Sequence, residues 1–149
     1  MTYSYKYPRP MVTVDVFLLQ KQKGIYNLLL IERKRDPFAG SWALPGGFVD
    51  KDEALLKAAE RELEEETGLT GIALKQLMAA GKPGRDPRGH TISIVYGCLI
   101  PEGAHIRPKA ADDANDARWF PLNKLPDLAF DHSDIISSCQ LQLTGHASS

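Results

Sequence analysis

Apolar positions along the chain fall into two periodicities. Four runs read as strands: Met11 to Leu19 (MVTVDVFLL), Tyr26 to Glu32 (YNLLLIE), Thr91 to Ile100 (TISIVYGCLI) and a short one at Ala117 to Pro121 (ARWFP). Lys23-Gly24, between the first two, is a hairpin turn signal. The mainly apolar stretch Ile72 to Ala80, with Met78, reads as sheet core. Two segments carry helical spacing. One runs from about Lys51 to Thr67, with Asp50 as N-cap, Glu53 completing a capping box and Gly68 beyond its end. The other runs from about Ser133 to Leu143, with Asp131 or Ser133 as N-cap. Strands before and after a long helix predict an α/β domain with a mixed sheet.

On a helical wheel, Leu55, Ala58, Ala59 and Leu63 define the inward face of the first helix. Lys57, Glu60 and Glu64 lie opposite, as solvated charges. Glu62 and Glu66 fall within the inward arc and Glu65 at its edge. Three carboxylates thus converge at the C-terminal end of the inward face. There they repel each other and oppose the helix dipole. Arg61 offers compensation through an i, i+4 pair with Glu65. A hard divalent cation such as Mg²⁺ or Mn²⁺ removes both penalties; a plain acidic solvated face is the alternative. Glu53 is ambiguous, because capping explains it without catalysis.

Composition narrows the function classes. The chain has 149 residues, a length for one domain, 1–149. With 18 basic and 19 acidic residues its net charge is −1, which offers no electrostatic footprint for nucleic acid or an anionic membrane. No apolar run is long enough for a membrane span, and the Tyr- and Pro-rich first ten residues do not resemble a signal peptide. Two cysteines, Cys98 and Cys139, without metal spacing fit a reducing cytoplasm.

Gly47, Glu53, Arg61-Glu62-Leu63, Glu65-Glu66 and Gly68-Leu69 fit every position of a 23-residue pattern, and the segment resembles a complete Nudix box. Trp42 to Gly47 resembles the usual lead-in. Arg85 to Gly89, Asp112 to Ala114 and Leu128 to His132 look like the branch that includes ADP-ribose pyrophosphatases. The resemblance implies a Nudix α/β/α sandwich with a mixed sheet and a catalytic loop–helix–loop. It implies metal ligation by Glu62, Glu65, Glu66 and the Gly46 carbonyl, and an orienting role for Arg61. It implies a Mg²⁺-dependent hydrolase, with Mn²⁺ able to substitute, acting on a small-molecule nucleotide such as ADP-ribose. A nucleoside triphosphate pyrophosphatase that clears damaged nucleotides and a non-catalytic ADP-ribose sensor are the rival readings. A homodimer is compatible with the family.

Several residues outside the box carry two readings. Arg33, Lys34 and Arg35 clamp a terminal phosphate or cap a solvated strand end. Arg88, in the Gly-rich loop Gly81 to His90, neutralises a second phosphate or is solvated. Phe38, Trp42 and Phe130 stack an adenine or pack the core. Glu53, Asp112 and Asp113 are candidate general bases. His90 and His132 read as local hydrogen bonders, and Asp15, isolated in an apolar strand, as the partner of an arginine.

Overall fold

The structure is a computed structural model that describes residues 2–111 and 113–145. Its strands are β1 (Met11–Gln22), β2 (Ile25–Arg33), β3 (Trp42–Ala43), β4 (Gly46–Phe48), β5 (Lys75–Ala80), β6 (Thr91–Ile100) and β7 (Ala114–Pro121); its helices are α1 (Leu55–Thr67) and α2 (His132–Thr144). They form a seven-stranded mixed sheet in the order β3-β2-β1-β6-β5, with β4 on β1 and β7 on β2. Strands β1 and β6 run parallel, from Met11↔Thr91 to Gln20↔Ile100, and the other pairs are antiparallel.

Strand β1 is central, and Thr13 to Gln20 is buried without a break. Both faces of the sheet are covered, so both parities of the strand are apolar. Val14, Val16 and Leu18 meet Ala58, Ala59 and Leu63 of α1. Phe17 and Leu19 meet Ile135, Ile136 and Cys139 of α2. The result is the predicted sandwich. Lys23 and Gly24 both have positive φ, at 51° and 80°, as a two-residue hairpin between right-twisted strands requires. Both cysteines are free thiols. Among the described residues no helix is long and apolar enough to cross a membrane.

The first helix corrects one expectation. It begins at Leu55 rather than Lys51, with Ala54 in the N-cap position and no side-chain cap. Asp52 takes a left-handed conformation, φ 59°, which breaks the helical path just after Asp50. The box contact is made ahead of the helix: the Asp50 N–H donates to Glu53 Oε1 at 3.0 Å. Asp131 does precede α2, but its carboxylate binds Arg85 and caps nothing. Strands β3 and β4, of two and three residues, are too short to show a periodicity in sequence.

Candidate active site

The site forms where β4 passes between β1 and the C-terminal half of α1. Gly46 pairs with Asp15 and Gly47 with Val14. A Cβ on Gly46 would overlap the Val14 carbonyl oxygen, and one on Gly47 would sit 2.6 Å from the Glu62 carboxylate. Bare backbone is therefore needed here for the helix carboxylates to approach the strand. The Gly46 N–H donates to Glu66 Oε1 at 2.6 Å. This ties Gly46 to the carboxylates through its amide; the resemblance assigns its carbonyl.

Glu62 and Glu66 are 8% and 6% exposed, so the helix does turn both inward. Burial pushes the Glu66 carboxyl well above the usual carboxylate range; the Gly46 amide opposes this, and the Glu62 and Asp15 carboxylates reinforce it. Burial also raises Glu62, against the pull of Arg61. Glu65 stands at the rim, its side chain 41% exposed and paired with Arg61 at 3.1 Å. Among the described residues, no three acidic, His or Cys side chains already stand at ligating spacing. The donor set nonetheless suits a hard divalent cation. Two desolvated carboxylates lie against the Gly46–Gly47 backbone, and Glu65 stands at the rim, one turn along the helix from Glu62.

Arg61 orders this acidic surface. Its Nε and Nη2 donate to the two Glu53 oxygens at 2.7 and 2.9 Å, and its Nη1 to Glu62 at 2.8 Å. The hydrogen bonds from Arg61 hold the Glu53 carboxyl down at about 2. Glu53 is thereby occupied as an orienting partner of Arg61. Asp113 lines the groove beside Glu62 and Glu66, whereas Asp112 lies outside the described residues.

A groove of about 310 Å³ lies over these carboxylates, and Arg33, Lys34, Arg35 and Arg88 line it with Gly46 and Gly47. The Arg33 and Arg88 guanidiniums lie 4.9 and 5.2 Å from the Phe130 ring centroid. Arg88 also lies 4.6 Å from the Phe48 ring. Arg33 Nε donates to the Pro37 carbonyl at 2.8 Å. Arg88 is held by a two-pronged pair with Asp86, at 3.0 and 2.8 Å. Burial, followed by the neighbouring Arg88, lowers the Arg33 pKa from its ordinary value. Two like charges fixed on one ring form a preorganised receptor for an anion. Phe38 packs edge-on to Phe130 at 4.8 Å, and Trp42 against Phe120 at 4.7 Å. Phe130 thus serves as a platform for arginines.

Sequence reasoning missed a buried polar layer behind Phe130. Arg85 grips Asp131 at 2.9 and 2.7 Å. Asp15, expected on an arginine, instead accepts a hydrogen bond from Ser93 and lies 3.6 Å from His132 Nε2. His132 Nδ1 accepts the Leu44 N–H at 3.1 Å, which assigns the proton of the neutral ring to Nε2, facing Asp15. Burial lowers the His132 pKa, in keeping with a neutral ring. The available signal was two polar residues, Thr13 and Asp15, alternating with Val12, Val14 and Val16.

Comparison with known proteins places this architecture. The NUDIX domain model matches residues 9–139. An ADP-ribose pyrophosphatase of Methanocaldococcus jannaschii is 48% identical over 130 residues, covering 87% of this chain and 73% of the relative. The ADPR responsive transcriptional repressor NtrR of Acinetobacter baylyi is 36% identical over 92% of this chain, which spans only 56% of that repressor. The NUDIX domain of Shewanella oneidensis NrtR, solved with ADP ribose, superposes with a TM-score of 0.85 at 32% identity, covering 95% of this chain and 94% of the other. The chain therefore belongs to the Nudix hydrolase family and resembles its ADP-ribose pyrophosphatase branch.

Proposed function

We propose that the chain hydrolyses ADP-ribose to AMP and ribose 5-phosphate with Mg²⁺, for which Mn²⁺ substitutes. The observation that carries this reading is that a buried carboxylate pair, Glu62 and Glu66, and an arginine pair, Arg33 and Arg88, line one groove. Arg33 and Arg88 bind the diphosphate, and Arg35 adds positive charge at the rim. Glu62, Glu66 and, after rotation, Glu65 hold the divalent ion, while Arg61 keeps their surface in register. When bound, the ion supplies charge neutralisation at the diphosphate and acidifies a water. Water oxygen adds to one phosphorus, the bridging P–O bond breaks, and the water's proton passes to a carboxylate. Asp113, which makes no ion pair among the described residues, is the base we favour. Two relatives support the substrate: the M. jannaschii pyrophosphatase and the Shewanella domain solved with ADP ribose.

A sensing role is the second reading, favoured by the similarity to the ADPR responsive repressor of Acinetobacter baylyi. A panel of ADP-ribose, ATP and dGTP with Mg²⁺ tests all of this. ADP-ribose should lead by kcat/KM. A triphosphate leaves buried partners of the second sugar unpaired, at roughly 5- to 150-fold for each desolvated group. A leading triphosphate would overturn the substrate and keep the hydrolase. Tight ADP-ribose binding without turnover would favour the sensor.

A further inference from the structure

Behind the arginine pair lies a second, smaller recess of about 50 Å³, which shares Arg33, Gly46, Gly47 and Arg88 with the groove and is walled by Thr13, Asp15, Asp86 and His132. Room for a water takes about 10–15 Å³, so the recess admits a few polar atoms and no purine ring. Leu44, Phe130 and Arg85 complete its lining, and the β1 wall is polar. Thr13 and Asp15 continue, on the α2 side, the row that becomes apolar at Phe17. Thr13 is 7% exposed, and its hydroxyl makes no hydrogen bond among the described residues. Asp15 is equally buried, with one oxygen taken by Ser93 and the other 3.6 Å from His132. That separation is beyond a good hydrogen bond and leaves acceptor capacity at Oδ1.

We propose that this recess binds the vicinal hydroxyls of a ribose attached to the diphosphate, with Asp15 as acceptor and Thr13 as the second contact; the inference rests on the ADP-ribose reading above. A carboxylate accepts from adjacent hydroxyl donors, and a free threonine hydroxyl both donates and accepts. The recess adjoins Arg33 and Arg88, so a 5′-phosphate on those guanidiniums brings its own sugar to the opening. Discrimination against a missing hydroxyl is strong at such a site because the buried carboxylate is left without its donor.

Either ribose of ADP-ribose offers this chemistry, and the test separates them. With Mg²⁺ present, calorimetry measures the binding of AMP, 2′-deoxy-AMP, ribose 5-phosphate and 2-deoxyribose 5-phosphate. The expected result is a deoxy penalty of about tenfold or more in one pair only. Thr13→Val and Asp15→Asn should shrink that penalty while leaving the deoxy compound's affinity within about threefold. Thr13→Val guards against Asp15→Asn failing to fold, and a deoxy penalty retained in a folded Thr13→Val counts against the inference. Equal affinity of ribose and deoxyribose forms in both pairs, with ADP-ribose still hydrolysed, overturns the recess and keeps the hydrolase. Binding of no sugar phosphate, with ADP-ribose untouched, overturns both.

Discussion

Glu66 carries a sharp local conflict: a carboxylate 6% exposed, with one amide donor and two acidic neighbours. Glu66→Gln should therefore leave the metal-free fold as stable or more so while removing at least about two orders of magnitude from kcat, since each ~1.4 kcal/mol is tenfold. Glu64→Gln, on the exposed face, is the control and should be silent; thermal melts and ADP-ribose assays report both. Arg88→Ala should act mainly on KM, because its partner Asp86 and platform Phe130 hold it for binding. Glu53 supplies the pH test. Its carboxyl is held at about 2 against an ordinary 4.5, so its contribution to stability is present above 4.5 and is lost as pH falls toward 2. Urea midpoints of wild type and Glu53→Gln should converge over that window; a gap that widens on acidification would contradict the Arg61–Glu53 pair. At this scale the sequence shows which glutamates turn inward, because helical geometry alone decides it. The same geometry gives the Arg61–Glu65 pair at i, i+4. It does not show that Phe130 is covered by guanidiniums, or that Asp15 faces His132. Those depend on residues far apart in the chain.

Strand β4 is the element on which the site depends. Gly46→Ala sets a methyl against the Val14 backbone, which cannot move aside, and should cost on the order of 3 kcal/mol in stability. Gly47→Ala meets first the far end of the Glu62 side chain, so it should spare the fold and depress turnover. Chemical denaturation with parallel kinetics distinguishes the two; equal stability losses would count against this division. Long periodic elements were legible: β6 spans the predicted Thr91–Ile100, and β1 and β2 extend the predicted runs by a few residues. Strands β3 and β4 were not, because two or three residues carry no period and owe their pairing to β1 and β2. The start of α1 differs from the expected Lys51 for a related reason. Asp50 and Glu53 do make the backbone contact of a cap, but one turn early, with the Glu53 carboxylate committed to Arg61.

For the whole molecule, the sandwich brings acidic residues of α1 and basic residues of β2 and the 81–90 loop to the lining of one groove. An acidic helix end of this kind gains from a cation, so Mg²⁺ should raise the melting temperature at constant ionic strength. Linkage gives ~2.7 kcal/mol at a hundred times Kd. A shift no larger than that from a monovalent salt would count against the site. The most direct measurement is ADP-ribose turnover against Mg²⁺ concentration, in wild type and Glu66→Gln, with products separated by chromatography. The account predicts AMP and ribose 5-phosphate from wild type, a saturable dependence on Mg²⁺ abolished by chelator, and loss of turnover in Glu66→Gln. Turnover indifferent to chelator, or retained in Glu66→Gln at matched Mg²⁺, would contradict it.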